Sequence, residues 1–295
     1  MIDFLTTLIN GLSLGGVYAL IALGYTMVYG IAKMLNFAHG DIIMVGGYTI
    51  LLFFNMVGMP LLGLLVATLM AVIVCMIFGV ATERFAYRPL RGASPLAVLI
   101  TAIGVSYLLQ SIAQIVFGTA ERKLVLNFMG TIEIGALKID VATIITLVVA
   151  AAIMVALTFF IDRTKTGKAM LAVSEDRGAA QLVGISVNTI IAITFAIGSA
   201  LAGVAGVFMI MKSPKVTFTM GAMPGIKAFT AAVIGGIGSI PGAMLGGIVL
   251  GLIETICNAI PAIAPFTVAI EFGLLIIILL VKPTGILGKK KREKV

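Results

Sequence analysis

The sequence predicts an all-α integral membrane protein, a polytopic bundle of about 8–10 transmembrane helices with broken or re-entrant segments and a possible inverted repeat. Three observations predict it. Hydrophobic residues make up 61% of the 295 and charged residues 11%, far from the roughly 25% charged content of a soluble domain. Mean hydropathy is +1.21, and the apolar runs continue over about 20 residues, the length that crosses a hydrocarbon core about 30 Å thick. Polar residues and glycines then interrupt those runs at a few sharply defined places. An outer-membrane barrel is excluded, because its strands alternate polar and apolar in segments of about 10 residues.

In chain order, the apolar runs place spans at Phe4 to Ile31, Asp41 to Gly58, Leu61 to Thr82, Ala93 to Phe117, Val141 to Ile161, Thr189 to Met211, Gly225 to Ile240, Gly242 to Ile260 and Phe266 to Val281. The Gly225 to Ile240 run is the weakest and also suits a half-helix that dips in and out. The first span lacks a Lys/Arg-rich leader and a short cleavable core, so it reads as a retained anchor. One transmembrane domain over 1–295 is expected, with a cytoplasmic loop at 162–188 and a basic cytoplasmic tail at 282–295.

Basic residues set the orientation, because Lys and Arg in short loops stay in the cytoplasm. Arg84, Arg88 and Arg91 lie in one loop, Arg163, Lys165, Lys168 and Arg177 in another, and Lys289, Lys290, Lys291, Arg292 and Lys294 in the tail. With an external amino terminus and nine crossings these three regions share one side, together with Lys33 and Lys282. Arg122, Lys123, Lys138, Lys212, Lys215 and Lys227 then fall outside, largely beside Glu121, Glu133 and Asp140.

Several functions are excluded by what the chain carries. The net charge of +8 reflects a juxtamembrane cluster suited to anionic lipid, not a nucleic-acid surface. Cys75 and Cys257 stand singly inside apolar spans and read as small core residues. A single histidine without a Cys or carboxylate cluster makes no metal site. No phosphate-cradling loop, nucleophile elbow or H-E-x-x-H pair occurs, so the chain does not hydrolyse ATP by itself.

Glycines concentrate inside the spans. Gly11 and Gly15, Ser199 and Gly203, Ala202 and Gly206, Gly242 and Gly246, and Gly247 and Gly251 each stand four apart, the spacing that lets helices approach closely. The segment "GGIGSIPGAMLGG" at 235–247 crowds glycines around a proline and predicts broken backbone at membrane depth, which survives only when buried in protein or lining a water-filled cavity.

Polar groups inside the spans are few and therefore informative. Over the first 82 residues the charged side chains are Asp3, Lys33 and Asp41, and the single histidine, His39, lies in "KMLNFAHGDI". Gly40 and Asp41 read as a turn and helix cap, and Asn36 suits the end of the preceding helix. Alternatively, Asn36, His39 and Asp41 line a substrate path, since a helix start aimed at a cavity offers amides to a carboxylate. The segment "FTMGAMPGIKAFT" at 218–230 enters from the opposite side and is a candidate second half of an inverted repeat. Glu254 and Glu271 lie inside spans, where a carboxylate is either a pathway or proton-relay group or simply hydrogen-bonded to a neighbouring helix.

The longest polar loop, "DRTKTGKAMLAVSEDRGAAQLVGISVN" at 162–188, contains an amphipathic helix. Gly167 opens it and Gly184 stops it. Ala169, Met170, Ala172, Val173, Ala179, Ala180, Leu182 and Val183 supply an apolar surface, and Lys168, Glu175, Asp176, Arg177 and Gln181 a charged one. A lipid-lying helix would be rich in Lys and Arg alone; the acids favour docking to a protein.

The stretch "TGKAMLAVSEDRGAAQLVGI" resembles the coupling segment of permease subunits of ABC importers for branched-chain amino acids. "LNFAHGD", "NGLSLGGVYALIALGYTMVYG" and "GGIGSIPGAMLGG" resemble other signatures of the same family, and the resemblance runs over essentially the whole chain, close to the H-type subunit. Two departures are visible: Leu171 stands where the segment often carries an Arg, and Lys168 replaces another Arg. The resemblance implies pairing with a second, related permease. It also implies two cytoplasmic ATP-binding subunits and an extracytoplasmic solute-binding protein, in a bacterial cytoplasmic membrane. It implies that this subunit is no enzyme and binds no cofactor, ATP being used by the partners. The coupling residues would be Gly167, Lys168, Ala172, Glu175, Asp176 and Gly184, on a lever from Gly167 to Leu182. Apart from the resemblance, the polar groups and broken backbone inside the spans make Asn36, His39, Asp41, Gly235, Gly236 and Glu254 the candidates for a translocation path. Permeases for urea or short amides, and an ion-coupled secondary transporter using Glu254, Glu271 or Asp41, remain alternatives. A channel would need repeated polar rings, which are not apparent.

Overall fold

The computed structural model describes residues 2–57, 60–124, 130–134 and 137–288. The end of the second predicted span at Gly58, and the cluster from Lys289 to Lys294, lie outside the described residues. Long helices dominate because hydrocarbon offers no partner to an exposed backbone group, so each apolar run must bond internally.

Helix α1 (Ile2–Ala32) is followed by α2 (His39–Val57) and α3 (Pro60–Thr82), which continues through a π-helical turn (Glu83–Tyr87) and a 3-10 turn (Arg88–Leu90). Next come α4 (Pro95–Phe117) and the short strands β1 (Arg122–Lys123), β2 (Thr131–Ile134) and β3 (Leu137–Asp140). Helix α5 (Val141–Arg163) leads into two short helices, α6 (Lys165–Glu175) and α7 (Arg177–Leu182), and then into α8 (Val187–Lys212) and β4 (Lys215–Val216). Helices α9 (Ala222–Gly235), α10 (Ile240–Ala259) and α11 (Thr267–Val281) complete the bundle. Among the described residues, 8 helices are long and apolar enough to cross a membrane. The chain is an all-α multi-pass membrane protein, and these 8 match eight of the predicted spans.

The remaining predicted span, Gly225 to Ile240, is instead a 14-residue helix, α9. At 1.5 Å per residue α9 is about 21 Å long, too short to cross a core about 30 Å thick. It begins inside the bundle, where the backbone of Gly221 and Gly225 packs against Gly40 at the start of α2. Helix α2 is displaced in the same way. Its first residue, His39, packs on Gly24 of α1, eight residues and so about 12 Å short of that helix's end. The segments 33–38 and 213–221 therefore enter the bundle from opposite ends, and the two broken helices meet amino terminus to amino terminus. This is the arrangement an inverted repeat predicts.

One end of the bundle gathers the basic loops. Arg91, between α3 and α4, donates to Glu83 and to Asn188, in the first turn of α8. The two loops thus share a face, as their charge predicts for the cytoplasm. The opposite end carries the antiparallel pairs β1–β4 and β2–β3. Lys227 departs from expectation: it is not in an external loop but buried within α9.

Helix α1 is the central post, with Ala19 to Leu23 fully buried. Small residues let α10 lie on it. A Cβ on Gly15 would stand 2.7 Å from the Ile248 Cα, and one on Gly251 would overlap the Gly15 backbone. Gly203 meets Val72 of α3 and Gly206 meets Ile43 of α2, as the four-residue spacing predicts. The glycine-rich break falls at the end of the bundle where α1 ends and not midway along it: Gly236 (φ 110°) and Gly238 (φ 92°) form the turn from α9 to α10, and Gly238 lies beside Gly30. The segment after α11 covers this turn, with Ile286 N–H donating to Ile234 O at 2.8 Å and Leu287 N–H to Gly235 O at 2.9 Å.

Replacing Gly251 with Val should force α1 and α10 apart, at a cost of about 1–3 kcal/mol by analogy with overpacked cores. The melting temperature of the purified protein should fall by several degrees. Gly104→Ala, at a site with nothing within 4 Å, should leave it unchanged.

Candidate functional site

The re-entrant segment after α1 is built from a left-handed residue and two buried polar anchors. Lys33 takes φ 53° and donates its N–H to Tyr29 O at 2.9 Å, so Lys33 ends the helix in the role expected of Asn36. Asn36 lies deeper, 2% exposed, and its Oδ1 accepts the Tyr87 hydroxyl at 2.8 Å from the π-helical turn of α3. Such turns widen a helix by one residue and often stand at functional positions. His39 is 1% exposed, lies edge-on to Tyr25 with ring centroids 4.7 Å apart, and bonds the Ile21 carbonyl. The bare Gly24 backbone makes room for its ring.

Asp41 lies in the first turn of α2, where negative charge suits the positive end of the helix. It is not the capping residue that sequence predicts. Its carboxylate reaches α4, accepting from Gln110 Nε2 at 2.8 Å and from the Ser106 hydroxyl. Asn36, His39 and Asp41 are thus brought to one buried junction, and Asn36 also borders a narrow cleft of about 190 Å³ with Tyr25, Tyr29 and Phe229.

A second buried group lies nearer the external end. Lys227 Nζ stands 2.7 Å from Glu254 Oε1 and 3.2 Å from Glu271 Oε2, and the Tyr18 hydroxyl donates to Glu254 Oε2 at 2.6 Å. Four helices are joined: α1, α9, α10 and α11. Lys227 and Tyr18 were not singled out from the sequence. The available signal was one basic and two acidic side chains in three successive apolar segments, which must pair to be tolerated.

Glu254 also lines a cavity of about 920 Å³ between α1, α5, α8 and α10. Asn10 and Ser13 of α1, Thr143 and Thr146 of α5, Lys212 of α8 and Asn258 of α10 line it too. These belong to the starts of α1 and α5 and the ends of α8 and α10, so the cavity lies toward the external end. Gly235 and Gly236 are far from it, in the covered turn at the cytoplasmic edge.

The cytoplasmic loop is two helices where sequence predicts one from Gly167 to Leu182. Asp176 breaks it, because its extended backbone (φ −152°) ends α6 and its carboxylate caps α7 by accepting from Ala179 N–H at 3.0 Å. Thr164 caps α6, accepting from Gly167 N–H at 3.0 Å while donating to Phe160 O at 2.6 Å. Gly167 is buried where a Cβ would collide with the last turn of α5, so glycine permits the sharp reversal. Gly184 (φ 83°) closes α7, with Ile185 N–H returning to Ala180 O at 2.9 Å, a left-handed helix stop.

The predicted apolar surface of this loop divides. Met170, Val173 and Ala180 are buried against the bundle, whereas Leu171, Leu182 and Val183 point outward, Leu182 90% exposed. Lys168 and Glu175 share the outer surface and Ala172 is half-buried. Arg177 donates to Ala32 O at the end of α1. Burial, and then the charge of Arg91, pulls its pKa below the usual guanidinium range, an unfavourable setting that the contact with α1 must offset.

Two broken helices that meet start to start inside a multi-pass bundle are the architecture of a membrane transport subunit. The chain belongs to the family described as the branched-chain amino acid transport system / permease component, whose model matches residues 7–279. It is 45% identical to the high-affinity branched-chain amino acid transport system permease protein BraD of Pseudomonas aeruginosa, covering 99% of this chain and 98% of that one. It is 43% identical to the LivH permease protein of Escherichia coli K12, again over 99% and 98%. A probable LivH of Methanocaldococcus jannaschii is 28% identical over 91% of this chain and 88% of that one.

Replacing Asp176 with Ala should cost α7 about 0.5–2 kcal/mol through loss of its cap. Amide hydrogen exchange should accelerate over 177–182 and stay unchanged in α5 and α8; Glu175→Ala should leave the whole loop unchanged.

Proposed function

We propose that this chain is the permease subunit of an ABC importer that moves branched-chain amino acids across a bacterial cytoplasmic membrane. Its partners are a second related permease, two cytoplasmic ATP-binding subunits and an extracytoplasmic solute-binding protein. The observation that carries the reading is the cytoplasmic loop, which displays Leu171, Leu182 and Val183 to the aqueous side. Exposed apolar side chains beside charged ones mark a surface that a protein covers. The named relatives are amino-acid permeases, which favours that substrate class over urea or short amides and over an ion-coupled carrier.

In this reading ATP binds to the partners, and this chain holds no cofactor. Closure of the ATP-binding subunits pushes on α6 and α7, with Lys168, Ala172 and Glu175 on or beside the contact surface. Gly167, Asp176 and Gly184 hold the shape of the loop. Arg177 passes the motion to the end of α1, and from there to the re-entrant segment that holds Asn36, His39 and Asp41. That junction is where the two half-helices shift, Gly235 and Gly236 serve as the flexible joint at the cytoplasmic side, and Glu254 lies on the external path.

The test replaces Leu182 and Val183 together with Glu. Membrane levels should match wild type, the ATP-binding subunits should no longer purify with a tagged chain, and leucine uptake should fall to background. Normal co-purification and uptake would exclude this surface as the coupling contact.

A further inference from the structure

We propose that the external cavity binds the head group of an α-amino acid, its ammonium at Glu254 and its carboxylate at Lys212. The inference rests on the permease reading above and adds to it a binding site within this single chain.

Charge balance is the first argument. Glu254 and Glu271 share one lysine, Lys227, at 2.7 and 3.2 Å, so two carboxylates compete for one buried cation. Such a cluster favours a shared proton or a further cation at its open edge. Position is the second argument. Glu271 is 1% exposed, whereas Glu254 forms part of the cavity wall, so a cation arriving from the external side meets Glu254. Tyr18 and Lys227 fix its carboxylate in place, which lowers the entropic cost of binding.

Opposite polarity across the same cavity is the third argument. Lys212, at the end of α8, lines it as well, as does Asp140, and lies within electrostatic reach of both Glu254 and Asp140. A zwitterion needs an anion and a cation held apart by fixed walls, and α10 and α8 supply them. Leu14, Val17, Phe208 and Met211 line the same space and offer apolar surface to a branched side chain, as small-molecule sites generally do around a few polar anchors. A volume of about 920 Å³ leaves room for the whole molecule with water.

The experiment uses the complete transporter, purified from its native membrane by a tag on this chain and placed in lipid nanodiscs without the solute-binding protein. Binding of radiolabelled leucine is measured in competition with isoamylamine, which lacks the carboxylate, and 4-methylpentanoate, which lacks the ammonium. Wild type should prefer leucine to either analogue by at least about tenfold, the scale of a lost charge-assisted contact. Glu254→Gln should weaken leucine until it competes no better than 4-methylpentanoate. Lys212→Gln should weaken leucine to the level of isoamylamine. Because Lys212 lies outside the buried cluster, its variant tests the site even if Glu254→Gln destabilises the bundle. Equal competition by all three ligands in wild type, absence of leucine binding, or unchanged preference in Lys212→Gln would overturn the site. ATP-driven uptake by the wild-type complex is measured in parallel in proteoliposomes supplied with the solute-binding protein: its absence overturns the permease reading itself, whereas intact uptake with any of those three results overturns only this inference.

Discussion

Everything in this bundle depends on the contact between the starts of α2 and α9. In hydrocarbon an unpaired backbone amide is so unfavourable that chains cross as unbroken helices, yet here two helices begin at depth. They do so only because each is sheathed by protein. Gly40, Gly221 and Gly225 bring the two backbones together, α1 and α8 enclose them, and Asn36, His39 and Asp41 find partners on α3, α1 and α4. The amides at the start of α2 bond within the turn itself, His39 N–H to Asn36 O at 3.1 Å and Asp41 N–H to Ala38 O at 3.0 Å, and the polar side chains tie that turn to α1, α3 and α4.

Close helix approach is the second condition. Without a strong apolar driving force between helices in lipid, association relies on packing and on a few polar contacts. The α1–α10 interface supplies both in sequence along its length: glycine against backbone at Gly15 and Gly251, then the tyrosine–glutamate–lysine contact at Tyr18, Glu254 and Lys227. The helix that carries the external carboxylate is therefore registered against the central post within a turn of that carboxylate.

Much of this was legible in the sequence, for physical reasons that can be named. Apolar run length reports span existence directly, and Arg and Lys report the side, so eight spans and the shared face of Arg91 and Asn188 follow from composition. Small residues four apart report helix contacts, and Gly15 and Gly251 indeed touch. Depth was not legible. The run from Gly225 to Ile240 is apolar enough for a span, but only tertiary contacts reveal that it starts at the level of Gly40. Pairing across spans was equally hidden. Lys227 looks like a loop residue to a rule that assigns cations to the nearest aqueous side, and its two carboxylate partners lie on later helices. Local chemistry also competed with periodicity at Asp176, whose preference for capping divided what the amphipathic pattern read as one helix.

The short segment after α11 has one further consequence. Its amides at Ile286 and Leu287 satisfy carbonyls at the end of α9, and Gly285 packs on the turn that leads into α10. Those carbonyls belong to residues made some fifty positions earlier, at a translation rate of about 5–20 residues per second. For the seconds between, the α9–α10 hairpin must enter the membrane with its cytoplasmic corner unsealed, shielded only by water or by whatever machinery receives it. That corner is sealed only once the segment after α11 has been made.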